Sequence, residues 1–540
     1  MRKKHFLFAS VLALLCGSSA LHAQDFKLTS SGYFKNQGVD IMAFDDIYPE
    51  GHQGGVCIIM NGHRVATNGD IRLEATPGQW QPVPKQLDRK LGDNSITATL
   101  CYPDSSRHLT GFNPMIYPDL HLIYTVNVES KGKNIEVTVD LDRPIPQEFI
   151  GKVGFNLEFF PGSLFGKPWI MDGQSGIFPQ QPNSPLMTTQ PNYLHTGNYH
   201  DGKQSLADMD KLIGKGYSPI VADDIISEPY AKGRKFTSRP DDPYNKVTIE
   251  SLSGDLQLFD GRMNHNNGWF VLRSNIKPGV TKGAVKWIIT PNVVADWMYQ
   301  PVIQTSQIGY HPAQDKEAVI EMDIRDNRKE TAQIIRIDAD GEKVVKNVTP
   351  ANWGKFLRYN YLKVDFTDVK EPGLYKIKYD TSVSPIFRID NDVYARGVWQ
   401  PVLEYFLPVQ MCHMRVNEKY RVWHDCCHMD DAQMAPAHNH IDGYDQKEGL
   451  SKFKPGEVVP GVNIGGWHDA GDFDLRIESQ AGESYILALA YEAFHPNLDV
   501  TSIDQINRVT EIHQPDGKND LLQQVAVSYT HLRAHETELH

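Results

Sequence analysis

Leu120-His-Leu-Ile-Tyr-Thr-Val-Asn-Val128 and Asn134-Ile-Glu-Val-Thr-Val-Asp-Leu141 flank Lys131-Gly132 and decide how the first half of the chain is read. Apolar and polar residues alternate in both runs, the period of a strand with one face in a core. The glycine between them marks a hairpin turn. Working outward, Val56-Cys-Ile-Ile-Met60 runs into Asn61-Gly62, another hairpin-type turn. Ile96-Thr-Ala-Thr-Leu-Cys-Tyr102 alternates, and Trp269-Phe-Val-Leu272 and Val285-Lys-Trp-Ile-Ile289 continue the theme. Residues 24–300 therefore read as a β-rich, sandwich-like region. Within it, 160–245 is rich in Pro, Gly, Asn and Gln and reads as long loops. No repeat or motif in the region names its role.

A second unit opens at Gln307-Ile-Gly-Tyr-His-Pro312. Ala318–Met322, Ile334–Ile337, Tyr361–Phe366 and Leu374–Tyr379 are strand candidates, with the turn Glu371-Pro-Gly373 before the last. Short strands over residues 301–389 predict an immunoglobulin-like β-sandwich. After Asp390 the period changes. Tyr394, Val398, Val402 and Phe406 recur every four residues, a helical stripe interrupted by Pro401. Ala481, Tyr485, Ala488, Leu489 and Phe494 share a helical face that stops at His495-Pro496, and Asn519 to Ala526 reads as a third helix start. The order is β, β, then α.

The 540 residues are 40% hydrophobic and 22% charged, ordinary values for a globular protein. A formal net charge of −13 argues against nucleic acid or an anionic membrane as partner, and a neutral glycan is compatible with it. The 23 Tyr and 9 Trp suit either sugar stacking or the filling of β cores. Arg2, Lys3 and Lys4 precede an apolar run from Phe6 to Cys16 and small residues up to Ala23. This is the pattern of a secretory signal peptide over 1–23. Leu15 is too bulky to precede a lipid-modified Cys16. No other segment is apolar enough to span a bilayer, so a secreted or periplasmic location without membrane insertion is expected. Five cysteines remain: Cys57, Cys101, Cys412, Cys426 and Cys427. An odd number leaves at least one thiol free or bound to metal. At the other end, Val527-Ser-Tyr-Thr-His-Leu-Arg-Ala-His-Glu-Thr537 matches the translation of a sequencing-library adapter. Residues 527–540 are accordingly expected to be foreign to the gene.

The chemistry concentrates in Gly465-Gly-Trp-His-Asp-Ala-Gly-Asp472. Asp469 and Asp472, separated by two small residues, can hold and deprotonate one water, and their repulsion separates their pKa values. Trp467 offers a sugar platform. The plainer alternative is an Asp-rich turn in which Asp472 caps a helix. Cys412, Cys427, His428 and His468 carry thiolate and imidazole donors suited to a closed, structural tetrahedral zinc site. The alternative there is a disulfide from Cys412 to Cys426 or Cys427, or plain buried thiols. His424, His438 and His440 are weaker ligand choices.

Taken together, these segments resemble glycoside hydrolase family 9, the cellulase-type inverting enzymes. The resemblance lies in Gln307–Pro312, in Cys427-His428 with Asp430 and Asp431, in Gly465–Asp472 and in Asp516-Gly-Lys-Asn-Asp-Leu-Leu522, in that order. It covers about residues 301–526 and leaves 24–300 aside. It implies that 390–526 begins an all-α (α/α)6 barrel, that Asp472 is the general base and that Asp469 helps hold its water. It implies a structural zinc held through Cys412 and Cys427-His428, with no cofactor for catalysis itself. It also implies a general-acid Glu near the end of the barrel, to which no Glu of this sequence corresponds. An inverting mechanism separates the two carboxyls by about 6.5–9.5 Å. The substrate class implied is β-1,4-linked glucan. A non-catalytic glycan-binding protein and an exo-acting glucosidase or glucosaminidase are the competing expectations.

Overall fold

The computed structural model describes residues 25–45, 54–74, 76–77, 84–102, 120–183, 187–189, 225–263, 268–430, 432–434, 438–439, 445–446, 452–470 and 473–539. Residues 1–24, expected to hold the signal peptide, and Asp431, His440 and Asp472 lie outside them. The chain divides into two units, 1–299 and 300–540.

The first unit holds two nine-stranded antiparallel sheets. The central strands of one are Val56–Met60, His63–Leu73, Val153–Phe159, Phe270–Asn275 and Leu256–Asp260. The other centres on Val247–Ser251, Val285–Pro291, Asn134–Leu141, Ile123–Lys131 and Ser95–Cys101. The opening hairpin is present as read, with Lys131 paired to Asn134 and Gly132 at φ 70° in the turn. Its alternation becomes alternating burial: Tyr124, Val126, Val128, Ile135, Val137 and Val139 join the core. The two sheets meet through pairs such as Phe155 edge-on to Trp287 at 5.0 Å.

Strand Val153–Phe159 is buried along its whole length, polar residues included. Asn156 Nδ2 donates to Glu74 Oε1 at 2.6 Å. The Arg273 guanidinium donates to Glu74 Oε1 at 3.2 Å, to Asn156 Oδ1 at 3.0 Å and to the Glu74 carbonyl at 2.9 Å. Buried charges need such mutual satisfaction. Burial still pushes the Glu74 carboxyl up to about 7 against the pull of Arg273.

The second unit begins with two facing sheets. One runs Val302–Gln304, Glu317–Asp323, Tyr359–Asp365, Ala351–Phe356. The other is built on Gly341–Val348, Ala332–Asp338 and Gly373–Tyr379. Ile320, Ile334, Val364, Tyr375 and Ile377 fill the space between.

Beyond Asp390 the structure departs from expectation. The stripe Tyr394–Val398–Val402–Phe406 forms no continuous helix. A π-helical turn, Val402–Phe406, starts directly after Pro401 and leads into helix α1, Leu407–Gln410. Proline has no N–H to give to the preceding turn. The Gln400 side chain meets the carbonyl of Ala395 at 2.8 Å instead. Leu403 and Leu407 are the buried aliphatic side chains, beside buried Glu404 and Pro408, while Val402 and Phe406 are exposed. Helix α2, Ile477–Phe494, ends as read, with His495 left-handed at φ 43° before Pro496. Helix α3, Asp520–Leu539, continues through the 526/527 junction, with Val527 buried. A four-stranded sheet, Arg421–His424, Arg415–Glu418, Val509–Ile512 and Thr501–Asp504, was not foreseen.

The expected start of an (α/α)6 barrel is not evident: among the described residues there are three α-helices, and two long helices cannot close a ring of helix pairs. No helix among these residues is long and apolar enough to cross a membrane.

Candidate metal centre and the Gly465–Asp472 loop

The site is assembled by a short antiparallel contact between the end of α1 and the Gly465 loop. Met411 bridges Trp467. The amide of Cys412 donates to the carbonyl of Gly466 at 2.9 Å, and that of His468 to the carbonyl of Gln410 at 2.7 Å. Cys412 and His468 are thereby locked side by side. Gly465 must be glycine. It lies at φ 64°, and a Cβ there would overlap the carbonyl oxygen of Val527. The other half arrives from the chain after strand Arg421–His424, where His428 takes a left-handed φ of 52°, rare for a residue with a Cβ.

One donor atom from each of Cys412, Cys427, His428 and His468 falls within 4.8 Å of all the others. Cys412 Sγ is 3.6 Å from Cys427 Sγ and 3.1 Å from His428 Nδ1, and Cys427 Sγ is 3.3 Å from His468 Nε2. Tetrahedral zinc with ordinary Zn–S and Zn–N bonds has ligand–ligand edges of about 3.3–3.8 Å. The donor set and its spacing therefore fit that ion. None of the five described cysteines is joined in a disulfide, so the alternative pairing of Cys412 is not formed. Cys426 stands apart, its sulfur 4.0 Å from the carbonyl of Arg508. The Cys427 thiol is held far below its ordinary range, chiefly by the Cys412 thiol and, against the opposing effect of burial, by His424 and His468. Two thiols and two imidazoles around a depressed thiol form a ready metal cage.

Among the weaker candidates, His424 stands outside the four-residue group. Its Nδ1 lies 2.9 Å from the carbonyl of Asp425 and its Nε2 3.0 Å from that of Val409. Two carbonyl acceptors favour an imidazolium, and its pKa is raised, first by Cys427. His438 sits on the short strand His438–Asn439.

The Asp residues are placed less completely. Asp469 closes the loop, its amide donating to the Asp474 carbonyl at 2.8 Å. Its carboxylate lies 3.4 Å from Arg476 Nε, which also holds Asp474 at 2.5 Å. Burial, and then the charge of Asp469, push the Glu483 carboxyl upward. Arg476 and Glu483 escaped the sequence reading. Their only signal is position, four and eleven residues after Asp472. Trp467 is corrected outright. It is 1% exposed, sits in the core with Leu403, Met411 and Leu521, and its indole N–H donates to Gln524 Oε1 at 2.9 Å. A ring enclosed on this scale presents no sugar platform.

Residues 298–384 match the family model described as the cellulase N-terminal ig-like domain. No curated protein matches the chain. Among solved structures, a metagenome-derived glycoside hydrolase family 9 endoglucanase is similar at 25% identity over 43% of this chain and 40% of its own, with a TM-score of 0.33. A zinc-binding triple mutant of another family 9 endoglucanase is similar at 23% identity over 42% of this chain and 38% of its own, TM-score 0.32. A family 9 protein of Bacteroides ovatus is similar at 20% identity over 42% and 37%, TM-score 0.30. The chain thus spans about two fifths of the length of these structures.

Proposed function

We propose that this chain is the front part of a secreted glycoside hydrolase of the family 9 type, which cleaves β-1,4-linked glucan such as cellulose, xyloglucan or mixed-linkage glucan with inversion. The observation that carries the reading is the convergence of Cys412, Cys427, His428 and His468 immediately beside Asp469, downstream of a cellulase-type ig-like domain. The four side chains would hold a structural zinc ion that fixes the loop. Asp472 serves as general base toward a water, with Asp469 as its neighbour on the loop. The general acid is assigned to no residue of this sequence, and the (α/α)6 barrel belongs to the whole enzyme rather than to the helices described above.

The test is reducing-sugar release from soluble β-glucans by the full-length protein that carries this chain. Asp472→Asn should lower the rate roughly 10²- to 10⁴-fold, the range for loss of a general base. Equal rates in the two proteins overturn the base assignment. Release of glucose alone, from chain ends, would select the exo-acting alternative.

A further inference from the structure

The ig-like domain carries an aromatic face of its own. In the sheet Val302–Gln304, Glu317–Asp323, Tyr359–Asp365, Ala351–Phe356, the residues Ala318, Ile320, Leu362 and Val364 point into the core. The opposite face carries Tyr359, Tyr361 and Lys363, with Glu317 and Glu321 paired across from the chain of Tyr361 and its neighbours. Phe356 pairs directly with Tyr359 and so shares that face. Asn352 pairs with Leu362 and Gly354 with Tyr361, which leaves Trp353 as the extra residue of a bulge. Gly354, at φ 128°, makes that bulge. The Trp353 ring then stands edge-on to Tyr361 at 5.7 Å, and Tyr361 lies 6.1 Å from Tyr359. Trp353 is 58% and Phe356 56% exposed. Four aromatic rings thus share this face, two of them more than half exposed and two half-buried.

We infer that this face binds a single strand of neutral polysaccharide, its pyranose rings laid against Trp353, Tyr361 and Tyr359. The charged groups beside the rings engage one another or the rings themselves. Lys363 Nζ meets Glu317 Oε2 at 2.9 Å, and the Tyr361 hydroxyl donates to Glu321 Oε2 at 3.0 Å. Glu317 and Lys363 cancel, and the charge left on Glu321 is opposed by that of Arg358 near Tyr359, so these groups carry no cationic excess, which matches a neutral polymer with polar groups beside the rings for sugar hydroxyls. The interplanar angles of 89° and 66° show that the rings are not coplanar, so the face offers no flat platform for a crystalline fibre.

The ligand class follows from the face and not from the hydrolase reading, so the two fail separately. The test is affinity electrophoresis of the full chain in gels containing mixed-linkage β-glucan, xyloglucan or polygalacturonate. Neutral glucan should retard the wild type. Trp353→Ala and Tyr361→Ala should each weaken retention about tenfold, Trp353→Phe should keep part of it, and bound zinc should be unchanged in all three. Free migration of the wild type in both neutral glucans, retention of Trp353→Ala equal to wild type, or equal retardation by polygalacturonate overturns the inference. Should Trp353→Ala melt early, Trp353→Phe against wild type decides.

Discussion

At the level of single residues, the four donors around Cys427 are the most specific feature of the chain. Their residue types were legible because thiolate and imidazole donors are few, and the Cys-His pair at 427–428 announces itself. Their convergence was not legible, because it depends on the contact of Met411 with Trp467 and on the left-handed backbone of His428. The roles of His424 and Glu483 were hidden for the same reason, since carbonyl acceptors and helix-face neighbours leave no trace in sequence. Protein purified without chelator is expected to carry about one zinc per chain, and the Cys412→Ser and His468→Ala variants well under half of that, measured by atomic absorption. Cobalt substitution should give thiolate charge-transfer bands that Cys412→Ser weakens. Full occupancy in both variants would remove these residues from the ligand set. His424→Gln, by contrast, should retain the metal, because both of its ring nitrogens are already occupied by carbonyls.

At the scale of elements, strands were read closely and helices poorly. Alternation in Ile123–Lys131 or Tyr359–Asp365 is enforced by one buried face, so the sequence shows it directly. The stripe from Tyr394 to Phe406 had the right period, yet Pro401 and the π turn rotated the buried positions to Leu403 and Leu407. Helix α2 likewise buries Gln480 and Ser484 and leaves Tyr485 and Leu489 exposed, so its apolar face could not be ranked from periodicity. Trp467 shows the energetic side. As a core residue joining the Gly465 loop to α3 through Gln524, its change to Ala should destabilise the second unit by about 3–5 kcal/mol in chemical denaturation. A loss of sugar affinity with unchanged stability would instead restore it as a platform.

Across the whole molecule, the buried carboxyls of the first unit set a pH response. Glu74 titrates near 7 in the fold and Asp70 near 6, both raised mainly by burial. In the unfolded chain they would lose their protons at ordinary carboxyl values. Between those limits the folded state holds protons that the unfolded state has released, so stability falls as pH rises. The melting temperature of the first unit should therefore decline from about pH 5 to about pH 7.5, and Glu74→Gln should flatten that slope. An unaltered slope would place the proton elsewhere.

The position of strand Val153–Phe159 has a temporal consequence. It lies between His63–Leu73 and Phe270–Asn275, so the middle of the sheet is stitched from segments far apart in the chain, and Arg273 meets Glu74 across 199 residues. Such long-range pairing folds slowly, because a large loop must close before any contact rewards it. A chain emerging during synthesis cannot complete this sheet until residue 275 has appeared. Until then Val153–Phe159 keeps one pairing edge open, and the yield of folded protein becomes a contest between synthesis rate and self-association.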